Sequence, residues 1–172
     1  LPEKVKWEYS TEIFNAPLKK NLSRIKDYYL YEKNYVQMNP HGWNGYDHYA
    51  LDSELKKTGI EAAARHTFKT YGALENNIEH LNKIIELASA HHWQVVLLIP
   101  PAYKTYTANL SDSQLYITVD YCESISSKNS HVKFLNLLYS PEFNRTDFYD
   151  ADHSNISGAK KLSSLLDQFL KI

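Results

Sequence analysis

Val95-Val96-Leu97-Leu98-Ile99, halted by Pro100-Pro101, constrains the fold more than any other stretch of this chain. An unbroken apolar run has no polar face to offer solvent. It therefore reads as a strand covered on both sides, the environment of a parallel sheet. Neither proline can donate to a ladder, so the strand ends where they begin. Upstream, after Gly72, Leu74, Ile78, Leu81, Ile84, Ile85 and Ala88 recur at helical spacing as far as His91-His92. Downstream, residues 111–127 carry a mixed stripe of Gln114, Leu115, Ile117, Tyr121 and Ile125, opening at Ser111 or Ser113. Val132–Leu137 reads as a second parallel strand, and Ile156, Ala159, Leu162, Leu165, Leu166 and Phe169 as the buried stripe of a closing helix over about 155–170. The order helix–strand–helix–strand–helix predicts an α/β fold layered on a parallel sheet.

The remaining segments are less periodic. Leu18, Leu22, Ile25 and Tyr29 predict a short helix over 18–30, and residues 51–71 are helix-prone but interrupted by Gly59. Asn39-Pro40-His41-Gly42 signals a turn, so 39–50 is expected to be a surface loop, and 138–154 a long polar one. Trp7, Tyr9, Phe14, Tyr28, Tyr29, Tyr31, Tyr35, Trp43, Tyr46 and Tyr49 crowd the first 50 residues. Packing against the main body accounts for them, and a glycan or flat-ligand surface is the alternative. The whole, 1–172, is expected to be one domain, with 1–50 irregular and 72–172 the core.

Charge and rare residues exclude several functions. Lys+Arg number 19 and Asp+Glu 20, which does not supply a basic groove, so no nucleic-acid partner is expected. A single cysteine, Cys122, excludes an internal disulfide framework and a thiolate metal cluster. Glycine is scarce, and no glycine-rich phosphate loop occurs. No apolar run approaches the roughly 18 residues of a membrane span.

Open parallel sheets bind ligands beyond the carboxyl ends of their strands. Two segments fall there: Pro100-Pro101-Ala102-Tyr103-Lys104, and Phe148 to Asn155 before the last helix. In the second, Asp150 can accept the Nδ1 proton of His153, leaving Nε2 as a general base toward a hydroxyl nucleophile. In the first, Tyr103 and Lys104 are candidates to contact an anionic or sugar substrate. The alternative is that Asp152 or Asn155 caps the last helix and His153 is simply exposed. Asp150, Asp152 and His153 together are a set that can hold a cation. No His-Glu-x-x-His or similar pair accompanies them, and neither metal nor cofactor is expected. His41, His48, His66, His80 and His131 are scattered, with core, cap or surface roles expected.

The run Phe148-Tyr149-Asp150-Ala151-Asp152-His153-Ser154-Asn155-Ile156-Ser157-Gly158-Ala159 resembles the last block of the SGNH hydrolase superfamily, Asp-x-x-His followed by a Gly-Ala helix entrance. Ser154 stands where Leu is common. The strand ending at Pro100-Pro101 resembles one in bacterial polysaccharide-modifying members, and the likeness spans about 72–172. It implies a three-layer α/β/α sandwich, flavodoxin-like, with Asp150 and His153 catalytic in an esterase or O-acyltransferase acting on acylated carbohydrate or a similar small ester. It also implies an extracytoplasmic location behind an N-terminal anchor. The family's nucleophilic Gly-Asp-Ser block is missing: Ser10 and Ser23 have the wrong context, and Asn15, Asn39 and Asn44 lack a Gly-x-Asn setting. Since the chain opens Leu1-Pro2-Glu3, the resemblance implies N-terminal truncation, a fragment inactive by itself, and a homodimer through an exposed sheet edge. The alternative it leaves is a non-catalytic carbohydrate-binding or scaffolding domain on the same fold.

Overall fold

A computed structural model describes residues 18–33 and 45–171. The chain divides at Asn44–Gly45 into two compact units. Within the first, α1 spans Leu18–Tyr31, close to the periodicity-based expectation, and none of its residues is buried. Tyr28 and Tyr29 meet edge-on in it, with ring centroids 5.1 Å apart. Trp7, Tyr9, Phe14, Tyr35 and Trp43, with the turn at Asn39-Pro40 and the His41 beside it, lie outside the described residues.

The second unit runs α2 (Asp52–His66), α3 (Tyr71–Ala90), β1 (Val95–Ile99), the single turn α4 (Lys104–Thr107), α5 (Asp112–Lys128), β2 (Val132–Asn136) and α6 (Ile156–Leu170). The two strands pair in parallel with Val95 opposite Val132 and Ile99 opposite Asn136. The α5 crossover connects them, as a parallel pair requires. Both strands and their connecting helix therefore form where the apolar runs place them. Ser111 opens α5, its hydroxyl accepting from the Gln114 N–H.

The three-layer, flavodoxin-like sandwich does not form. The sheet has only these two strands among the described residues, and the unit is otherwise mostly helical. The reason is local: no other described segment combines an unbroken apolar run with bounding breakers; the other long ones form helices or, over 137–155, a largely polar connection. Gly59 does not interrupt α2 either. A Cβ there would lie 2.6 Å from the Thr105 carbonyl carbon, so the glycine lets α4 sit directly against the helix. That packing outweighs the roughly 1 kcal/mol that glycine costs a helix interior.

Two clusters make the core. Ile85, Ile125 and Val132 gather between α3, α5 and β2. Ala50, Leu55, Phe148 and Ala151 form the other, with Tyr103, Tyr106 and Phe143 packed against it. The second cluster includes Phe148 and Ala151 of the segment before α6, and that segment holds the site. No described helix is long and apolar enough to cross a membrane.

Candidate functional site

The 148–155 segment is held by its own polar groups before any side chain does chemistry. Asn155, buried, caps α6: its Oδ1 accepts from the Gly158 N–H, and its Nδ2 donates to the carbonyls of Thr146 and His48. Of the two capping candidates, the structure therefore selects Asn155. Asp147, also buried, accepts from Lys161 Nζ at 2.6 Å, from the Asn144 N–H at 2.9 Å and from the Ser157 hydroxyl at 2.9 Å. Burial alone would raise its pKa, but these donors hold the carboxyl below its ordinary value. Phe148 pairs with Ser154 across an isolated antiparallel bridge, and the Tyr149 N–H donates to the His153 carbonyl at 2.9 Å. The loop is thereby closed on itself.

Inside this closed loop, Asp150 and His153 meet. His153 Nδ1 lies 2.9 Å from Asp150 Oδ1 and 3.1 Å from Oδ2. A carboxylate can only accept, so Nδ1 donates in this contact, and in the neutral ring Nε2 is the nitrogen left with its lone pair. Asp150 cannot swing away, because Oδ1 also accepts the N–H groups of Asp152 at 3.1 Å and of His153 at 2.8 Å. The carboxylate is mostly buried and the imidazole side chain is 65% exposed, so the ring is anchored on one edge and accessible overall. Among the described residues no hydroxyl is hydrogen-bonded to Nε2.

Sequence reasoning named Asp152 and His66 without placing them together, and passed over Tyr106. The Asp152 side chain is only 8% exposed, and its Oδ1 has no hydrogen-bond partner among the described residues. Burial, then the nearby Asp150 charge, pushes this carboxyl above its ordinary pKa. His66, at the end of α2, places Nε2 3.9 Å from Asp152 Oδ2, while its Nδ1 shares a 3.0 Å hydrogen bond with the Tyr106 hydroxyl. Burial, then Asp152, raises the Tyr106 pKa, so that hydroxyl keeps its proton. The Asp-Ala-Asp-His spacing displayed Asp152. Its burial and the approach of His66 from 86 residues earlier are tertiary events that no local pattern encodes.

Tyr103 is joined to this loop by its N–H, which donates to the Ala151 carbonyl at 2.9 Å, and by its ring, which meets Phe148 edge-on with centroids 5.8 Å apart. Tyr103 and Lys104 line a separate cavity of about 770 Å³ with Asp52, Lys56, Asn109 and Arg145. Arg145 is fixed there by Asp52 at 2.8 Å, by the Ala50 carbonyl and by the Tyr49 ring beneath it. The structure thus brings Asp150 and His153 together and leaves Tyr103 and Lys104 lining a cavity of their own.

Compared with protein-family models, with curated proteins and with solved structures, the chain matches none. The resemblance to the SGNH superfamily is thereby overturned, and the esterase or O-acyltransferase reading goes with it. So does the alternative of a carbohydrate-binding or scaffolding domain on that fold. A short Asp-x-x-His before a helix carries too little information to define a family, and the layered sheet that would support it is replaced by two strands and a helical body. Ser23 lies exposed on α1, and Ser10, Asn15, Asn39 and Asn44 lie outside the described residues.

Proposed function

We propose that this protein uses His153 as a general base, oriented by Asp150, to take a proton from a water or hydroxyl group of a bound polar molecule. The observation that carries this is the pair of 2.9 and 3.1 Å contacts from one imidazole nitrogen to a carboxylate itself tied to two backbone amides. In water a neutral imidazole has a free choice of tautomer; here the choice is made, and the basic nitrogen is the unpaired one. Orientation of this kind removes a rotational cost from proton transfer, and positioned acid–base groups contribute about 10²–10⁴ in rate.

The test is the side-chain ¹⁵N spectrum of His153 at a pH where the ring is neutral. Nε2 is expected at the shift of an unprotonated nitrogen, with Nδ1 protonated. Asp150→Ala is expected to abolish that preference and to slow acylation of His153 by diethyl pyrocarbonate several-fold. A wild-type ring protonated on Nε2 would overturn the reading.

For Lys104 and Tyr103 the proposal is a binding role in their own cavity, apart from His153. Lys56, Lys104 and Arg145 line their cavity against one carboxylate, Asp52, and this balance suits a ligand with a phosphate or carboxylate group. Titration with inorganic phosphate is expected to shift the Tyr103, Lys104 and Asn109 amide resonances. Lys104→Ala is expected to weaken that binding several-fold, and equal affinity in the variant would remove Lys104 from the binding role.

A further inference from the structure

We propose that Asp150, Asp152 and His153 form a site for one divalent transition-metal cation of the zinc type, which binds in place of the His153 Nδ1 proton and switches the base off. This rests on the acid–base reading of His153 for its consequence, though not for the binding itself. The candidate ligand atoms of the three residues lie within 4.8 Å of one another.

The independent pointer is Asp152. A carboxylate side chain 92% removed from solvent should have its oxygens satisfied, because an unpaired buried acceptor costs about 1–3 kcal/mol and more when charged. Asp152 Oδ1 has no hydrogen-bond partner among the described residues, and it faces His153 Nδ1 at 3.6 Å. That separation is too long for a hydrogen bond. It is close to the spacing of two ligands on one cation: bonds of about 2.1 Å at a tetrahedral angle put donor atoms about 3.4 Å apart. Asp150 Oδ1 is held by backbone amides, while Oδ2, whose contact is the same Nδ1 at 3.1 Å, is placed to become the third ligand.

The donor set selects the class of ion. One imidazole nitrogen with two carboxylate oxygens suits zinc and its first-row neighbours, whereas calcium and magnesium favour all-oxygen shells. Behind the ligands, His66, hydrogen-bonded to Tyr106, stands 3.9 Å from Asp152 Oδ2, beyond hydrogen-bond distance but near enough to become an outer partner of a ligating carboxylate. The charges balance, since two carboxylates and a neutral imidazole neutralise a dication.

The chemical consequence follows from imidazole itself. A neutral ring bound to metal through Nδ1 carries its one proton on Nε2. The Nδ1 lone pair forms the bond to the cation, and the displaced proton returns through solvent to Nε2. Any proton that Asp152 holds passes to buffer. The nitrogen that accepted protons in the metal-free protein then bears one, so the cation competes with catalysis at the same ring.

The experiment titrates chelator-treated full chain with zinc chloride, following heat by calorimetry and His153 by side-chain ¹⁵N spectra, in the wild type and in Asp152→Asn. One zinc per chain is expected, with Nε2 passing from unprotonated to protonated. Asp152→Asn is expected to lose this binding while keeping the Nδ1–H tautomer and an unchanged or higher melting temperature. Zinc that binds Asp152→Asn as tightly, or that leaves the His153 shifts unmoved, would assign the ion to scattered surface imidazoles and overturn the site. A metal-free ring already protonated on Nε2, with Asp152-dependent zinc binding intact, would keep the site and overturn the base.

Discussion

Asp147→Ala is expected to destabilise the 45–171 unit by about 3 kcal/mol, read as a drop in the urea midpoint at neutral pH. Asp147 is 1% exposed and is the common acceptor for Lys161, the Asn144 N–H and the Ser157 hydroxyl. Removing it leaves a partly buried ammonium with only the Glu142 carbonyl, 3.2 Å away, and strands two further donors. Solvent reaches Lys161, whose side chain is 38% exposed, and this keeps the loss at the low end for a broken buried pair. The pH dependence has a definite sign. The folded carboxyl titrates below its ordinary value. Its stabilisation is therefore fully present above the unfolded pKa of about 3.9 and is lost as pH falls through the folded one. The stability gap between the wild type and Asp147→Asn should narrow below about pH 4. A gap constant from pH 7 down to pH 3 would show that the charge contributes nothing.

The second large effect is steric. Gly158→Ala is expected to cost about 3 kcal/mol, because a Cβ at this position would lie 2.2 Å from the Asp147 carbonyl oxygen and 2.9 Å from Ser154 Cβ. The nearest obstacle is backbone and cannot rotate aside. The sign is diagnostic, since glycine to alanine within a helix ordinarily stabilises by up to about 1 kcal/mol. A rise in melting temperature would contradict the close approach of the 145–147 turn to α6. A fall is expected to come with faster amide exchange at Asn155 and Gly158 and with weakened tautomer preference at His153, because the same carbonyl accepts the Asn155 N–H at 3.0 Å.

Much of the local structure was legible from residue order. The apolar run before Pro100 located β1, the 3.6-residue stripes located α3 and α6, and the choice of Ser111 or Ser113 bracketed the start of α5, which the structure puts after Ser111. The extent of the sheet was not legible, because how many strands assemble is decided by what pairs along their edges. Two apolar runs around a helix satisfy the βαβ pattern whether the sheet continues or stops. Gly59 misled because glycine has two uses, breaking a helix or letting backbone approach one, and only the position of Thr105 distinguishes them. At the site, the contact between Asp150 and His153 was readable, since residues three apart at a helix entrance can reach each other. The orphaned oxygen of Asp152 was not, for its isolation is produced by chain that arrives from elsewhere.

The bridge between Phe148 and Ser154 bears on how durable this chemistry is. It makes the segment a clasp fastened to itself, with both chemical partners inside the fastening and their separation set by the backbone between them. Substitutions around Ile85, Ile125 and Val132 can therefore erode the protein's overall resilience while leaving the imidazole's posture untouched. The clasp behaves as a small cassette that drift elsewhere in the sequence can re-house without dismantling.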